Sequence, residues 1–234
     1  MRSSEDKELL VSRFTDTIYV EEFLQPEEIQ YLIELFDNSN DKIYKNTGPV
    51  TCNSIMKDSI LESIVERLVP LIGNFKIYSA SFFNVKFPHI IHNDDKKSFP
   101  LTYKAITLPL KLEYSAETTD TELPNLCIFD QYYLEGPSKF FNGENNIPTY
   151  YNQQIYEYSQ VQNKSLTGIS ANDMQKYLTH IKPNWLHGLS LNSIHAWKPG
   201  SAIIFDALKL HCASDFRQHS IVSKLGISIF TYTD

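Results

Sequence analysis

Two kinds of apolar spacing divide the chain. Ile29, Leu32, Ile33 and Phe36 recur at helical intervals behind Pro26, Glu27 and Glu28, which suit a first helical turn. That spacing predicts a helix over about 26–37, closed by Asp37-Asn38-Ser39-Asn40. Ile55, Ile60, Ile64, Leu68 and Leu71 mark the stripe of a second helix over about 54–72. After Gly73-Asn74 the helical period is lost. The run from Phe75 to Val85 is rich in β-branched and aromatic residues and reads as one strand, with further strands at 105–114, 126–133, 201–208 and 224–232 and a short one at Ile18-Tyr19-Val20. Helices first and strands after them predict an α+β, mainly β protein built on an antiparallel sheet or barrel, rather than alternating βαβ units.

Two stretches lack this patterning. Residues 1–15 are polar and are expected to be frayed or loosely docked. Residues 134–196 carry Asn, Gln, Tyr, Pro and Gly around one helical segment at about 170–181, which Ser170 can cap. A long, weakly patterned segment of this kind inside one domain is functional or disordered, and its tyrosines argue against disorder. It is read as a lid or substrate-binding insertion in a single domain spanning 1–234.

Composition narrows the function. The net charge of −7 argues against generic nucleic-acid binding, because phosphate backbones repel an acidic surface. No apolar run approaches the ~20 residues of a membrane span. The first residues lack a signal-peptide core. Cys52, Cys127 and Cys212 are far apart and odd in number, which fits reduced, buried thiols in a cytoplasmic setting.

The candidate chemistry lies in three places. His92-Asn93-Asp94 follows the β-rich stretch, and on an extended chain residues two apart point the same way, so an imidazole and a carboxylate can grip one ion. His211 comes after a Pro199-Gly200 turn and the buried run Ser201–Asp206. Lys224 opens the last strand, on which Gly226 and Ser228 share its face. Two histidines and one carboxylate form the facial triad of non-haem Fe(II) oxygenases and leave open positions for a cosubstrate and dioxygen. Each signal is weak alone, since a polar His-Asn-Asp run is usually a solvated loop. Their order and strand context make them specific together. His89, beside the motif, is a loop residue or a support for the ligands.

With these residues the chain resembles the Fe(II)/2-oxoglutarate-dependent oxygenase superfamily. The matching pattern is His-x-Asp, a distant His and a basic residue on the last core strand, and Val20–Ile29 is similar to the N-terminal entry of prolyl-4-hydroxylase-like members. The resemblance implies a double-stranded β-helix (jelly-roll or cupin-like) core with N-terminal helices packed on one side. It implies Fe(II) on His92, Asp94 and His211, with 2-oxoglutarate as cosubstrate. Lys224 would meet its distal carboxylate, Ser228 would donate a hydrogen bond, and the small Gly226 and Ser228 would leave it room. The gap from His211 to Lys224 is longer than is usual in the family, which makes Arg217 a rival to Lys224. The implied activity is hydroxylation of a small polar molecule or amino acid. A peptidyl (prolyl-type) substrate is the alternative, and a cupin-like metal protein without 2-oxoglutarate turnover is the alternative of another class. The acid at position 94 speaks against halogenation.

Overall fold

A computed structural model describes residues 2–40, 50–52, 55–95, 101–115, 122–136 and 168–233. Its elements are α1 (Ser4–Ser12), β1 (Ile18–Val20), α2 (Pro26–Asp37), β2 (Val50–Cys52), α3 (Ile60–Ile72), β3 (Lys76–Val85), β4 (Thr102–Tyr114), β5 (Asn125–Tyr132), α4 (Ala171–Tyr177), α5 (Pro183–Leu186), β6 (Leu191–Ala196), β7 (Ala202–Asp206), β8 (Lys209–Ala213), a 3-10 turn (Phe216–His219) and β9 (Ile221–Tyr232). Among the described residues no helix is long and apolar enough to cross a membrane.

The strands form two antiparallel sheets, one in the order β1-β7-β4-β9-β3-β2 and a smaller one in the order β6-β5-β8. The smaller sheet gains a fourth edge where His92 and His211 pair as an isolated bridge. The core chain therefore alternates between sheets: β3 in the large one, residues around His92 in the small one, β4 back in the large one, β5 and β6 in the small one, then β7, β8 and β9 in turn. That winding is the double-stranded β-helix the resemblance implied.

Side-chain alternation explains the layering. On β9, Leu225, Ile227 and Ile229 pack with Ala202 and Ile204 of β7, Ile106 and Leu108 of β4, and the apolar stripes of α2 and α3 (Leu32, Phe36, Leu61, Ile64, Leu68). The other face of the large sheet looks into the barrel, where Phe205, Ile203, Trp197, Leu126 and Ile128 fill the space between sheets. α2 begins at Pro26, and its first turn is fixed when the Gln25 amide donates to Glu28 at 2.8 Å. Glu28 in turn takes two hydrogen bonds from Arg67 of α3, at 2.7 and 2.9 Å, which tie the two helices together and hold its carboxyl below the usual range.

Several expectations shift. The helix read at 54–72 begins at Ile60, and the one at 170–181 covers Ala171–Tyr177, with the Ser170 hydroxyl accepting the Asp173 amide at 3.0 Å. The strand read at 201–208 stops at Asp206, turns, and returns as β8. Residues 4–12, expected to fray, form a helix. Its Ser3 hydroxyl accepts the Asp6 amide, and its Leu10 is buried against Leu101, Leu134 and Leu208. Within 134–196, Leu191–Ala196 is strand β6 of the core, paired along β5. The lid reading of the segment's centre, 137–167, lies outside the described residues.

Gly226 shows how tightly the interior is filled. A Cβ there would lie 2.8 Å from Phe83 Cζ, 2.9 Å from Trp197 Cζ2 and 3.0 Å from the Leu108 carbonyl oxygen. The carbonyl belongs to a neighbouring strand and cannot yield. Gly226→Ala is expected to destabilise the fold by about 1–3 kcal/mol, an overpacking cost, read as a lower denaturation midpoint with an unchanged m-value. The space above Gly226, read from sequence as room for a cosubstrate, is taken by these two rings.

Candidate metal centre

The His92 and His211 backbones form a hydrogen-bonded pair: each amide donates to the other's carbonyl, at 3.0 and 2.8 Å. A third backbone bond, from the Asp94 amide to the Ala207 carbonyl at 2.8 Å, fixes the carboxylate-bearing residue against the turn between β7 and β8. Three residues from two distant parts of the chain thus meet on stiff backbone. Their ligand atoms all lie within 4.8 Å of one another. His211 Nε2 is 3.2 Å and His92 Nε2 3.8 Å from the Asp94 carboxylate.

Both rings are oriented from behind. His92 Nδ1 lies 2.7 Å from the Ile90 carbonyl and His211 Nδ1 3.0 Å from the Lys209 carbonyl. Since a carbonyl only accepts, each Nδ1 carries a proton, and each Nε2 is the ring nitrogen turned to the centre. This is the arrangement by which proteins set the tautomer of a metal-binding histidine. Burial, with His211 adding to it, pushes the His92 imidazole well below its ordinary range, so it stays neutral and able to ligate. Phe205 packs edge-on to His211 at 4.6 Å, and His89 edge-on to His92 at 5.5 Å. The donor set therefore fits a divalent transition-metal ion with open positions.

Lys224 lies inside the barrel, 3% exposed. Its Nζ stands over the rings of Trp197 (4.7 Å) and Phe216 (4.9 Å). Among the described residues no carboxylate comes within salt-bridge distance of it. Burial pushes its ammonium down to about 7. Ser228 faces the same way, half-buried, opposite Ser81 of β3 and Thr107 of β4. Arg217 does not join them: it sits exposed on the 3-10 turn, 3.7 Å from Asp215 and over the Phe87 ring at 5.5 Å. Cys127 and Cys212 are buried and stand opposite one another on β5 and β8.

Three groups around the centre escaped the sequence reading. Asp95 is fully buried and bidentate to Arg2. Asp206 is paired with Lys104 inside the fold. Tyr78 reaches the Asp94 carbonyl at 3.5 Å, and burial, then Asp94 and Asp95, push its hydroxyl upward. Only long-range contacts single these residues out. The one available local signal was Ser3-Ser4-Glu5-Asp6, the pattern of a capping box, which marks the start of α1.

No protein-family model and no curated protein sequence matches the chain. Solved structures do match. SnoN, a non-haem α-ketoglutarate-dependent epimerase from nogalamycin biosynthesis, is 12% identical over 98% of this chain and 84% of its own, with a TM-score of 0.53. EctD from S. alaskensis is 11% identical over 99% of this chain and 77% of its own, with a TM-score of 0.51. HygX from Streptomyces hygroscopicus, solved with nickel and 2-oxoglutarate, is 9% identical over 99% and 87%, with a TM-score of 0.50. The fold is thus the double-stranded β-helix that Fe/2-oxoglutarate-dependent oxygenases share. On that fold the chain carries a His-Asp-His cluster.

Proposed function

We propose that the chain is an Fe(II)- and 2-oxoglutarate-dependent dioxygenase that hydroxylates a small polar molecule or amino acid. The observation that carries this reading is the His92, Asp94 and His211 cluster, with ligand atoms within 4.8 Å on backbone that hydrogen bonds hold in place. Bound there with 2-oxoglutarate and dioxygen, iron supplies the power to oxidise an unactivated C–H bond. The protein supplies the rest. His92 and His211 offer their Nε2 atoms as ligands, and Asp94 contributes a carboxylate on the same face. The carboxylate at 94 takes the ligand position that a halide would need, which speaks against halogenation.

Lys224 fits the role of partner to the cosubstrate's distal carboxylate. A buried ammonium without a counter-ion is costly, and a bound carboxylate relieves that cost. The Ser228 hydroxyl, on the same face, can donate to the same ligand. Arg217, exposed at the surface, is the weaker candidate.

A cleft of about 470 Å³ lies beside β5 and β8, and its lining does not include His92, Asp94, His211 or Lys224. Asp16, Asp130, Lys209, Phe14 and Tyr132 line it, and Lys209 precedes His211 by two positions. Both Asp130 oxygens are held, by Ser190 at 2.6 Å and Asn192 at 2.9 Å. Two carboxylates, an ammonium and two rings suit a molecule with amino and hydroxyl groups.

The test is a thermal-shift measurement with Mn(II) and N-oxalylglycine, followed by succinate release across polar amines, amino acids and prolyl peptides. A joint stabilisation by the two ligands, at concentrations far above Kd worth about 3–4 kcal/mol, is expected. Absence of any shift with Mn(II) removes the metal centre. Stabilisation by Mn(II) without a response to N-oxalylglycine makes this a metal protein that uses no 2-oxo acid.

A further inference from the structure

The segment that carries two of the three ligands is gripped from its other side by the chain's N-terminal arm. Along His92-Asn93-Asp94-Asp95 the side chains alternate. His92 and Asp94 point to the metal centre, while Asn93 and Asp95, both 2% exposed, point away from it. Asn93 Nδ2 donates to the carbonyls of Tyr133 (3.0 Å) and Gly136 (3.2 Å). Asp95 accepts two parallel hydrogen bonds from Arg2, both at 2.7 Å, and a third from the Thr102 hydroxyl at 2.8 Å. Arg2 also donates to the Leu134 carbonyl at 2.9 Å, and Lys7 pairs with Glu135. The arm holds the opposite flank too. The Thr15 amide donates to Asp206 at 3.1 Å, and Asp206 immediately precedes Ala207, whose carbonyl fixes the Asp94 amide. Residues 2–15 thus hold Asp95, which follows Asp94, and Asp206, which precedes the residue that accepts the Asp94 amide.

We propose that the N-terminal arm is a positioning element of the metal centre, with Arg2 as its positioning residue acting on Asp94 through Asp95. The inference rests on the metal reading above. The physical reason is that a forked guanidinium and a carboxylate lock together in one plane. Asp95 has no freedom to rotate without leaving a buried charge unpaired, so the Asp94 Cα one residue away is held as well. A carboxylate ligand contributes to affinity only while it stays within a few tenths of an ångström of its place. The same arm also holds Leu134 and Glu135.

Removal of groups that orient a metal ligand lowers affinity by ~10–100-fold, and Arg2→Ala is expected to fall in that range for Mn(II), measured by calorimetry on the full chain. The visible spectrum of bound Co(II), which reports ligand geometry, should change with it. Arg2→Lys keeps the charge but not the fork and should recover only part of the loss; if Arg2→Ala does not fold, Arg2→Lys carries the comparison alone. A merely structural contact would lower the melting temperature and leave both metal readouts alone. A folded Arg2 variant with wild-type Mn(II) affinity and an unaltered Co(II) spectrum overturns the inference. Wild-type protein that binds no Mn(II) overturns the metal reading itself, and this inference with it.

Discussion

Asp94→Ala is expected to abolish succinate formation and to weaken Mn(II) binding by more than the ~10–100-fold that accompanies loss of a merely orienting group. The apo fold should survive. Asp94 is placed by the hydrogen bond that its backbone amide donates to the Ala207 carbonyl, which the substitution leaves in place, and its side chain is part-exposed at the centre. What disappears is the only negative charge among the three donors. Two imidazoles 4.3 Å apart, centroid to centroid, then face the ion without charge compensation. Calorimetric titration with Mn(II), next to a melting curve in chelator, separates the two effects. Unchanged Mn(II) affinity in folded Asp94→Ala protein places the ion elsewhere.

Lys224→Ala is expected to leave metal binding nearly intact and to weaken 2-oxoglutarate by ~2–5 kcal/mol, the cost of breaking a desolvated charge pair, which is roughly 30-fold to several thousand-fold in apparent affinity. The pH dependence is the sharper test. Burial lowers the ammonium from its ordinary 10.5 to about 7, so the unliganded fold loses that charge as the pH rises through about 7. A bound carboxylate favours the charged form, and binding above that pH must take up a proton. Wild-type affinity should therefore hold below about pH 7 and weaken by up to ~tenfold per pH unit above it. The Lys224→Ala variant should bind weakly with no such slope. Stability runs the other way. Between about 7 and 10.5 the unfolded chain holds a proton that the fold has released, so unliganded wild type gains stability with rising pH and Lys224→Ala lacks the gain. If Lys224→Ala binds 2-oxoglutarate normally and Arg217→Ala does not, the two roles are exchanged.

Both predictions use residues visible in the sequence, but for different reasons. His92-Asn93-Asp94 stood out because spacing of two on an extended chain places both side chains on one face, a purely local rule. His211 had no local mark beyond a strand context. It joins the others because β8 lies beside the His92 segment, and that adjacency is a property of the winding between sheets. Lys224 was chosen as the residue opening the last strand, which begins instead at Ile221, while the alternation read for Lys224, Gly226 and Ser228 holds. The inference of free space above Gly226 did not follow, because residue size on one strand says nothing about which rings arrive from β3 and from the Trp197 loop.

The sequence by itself determined the long elements: α2 and α3 from their apolar stripes, β3, β4 and β9 from their β-rich runs, and the order of helices before strands that favours an antiparallel sheet or barrel. These follow from periodicities that each segment carries alone. Tertiary structure decided the rest. Leu191–Ala196 is only half-buried and weakly patterned, and it becomes a strand because β5 offers it a ladder. The arm at 2–15 is polar and becomes ordered because Arg2, Leu10 and Thr15 find Asp95, Leu208 and Asp206. Hydrophobic period is written in neighbours along the chain, whereas ion pairs, edge ladders and ligand clusters are made between residues that only the completed fold brings within reach.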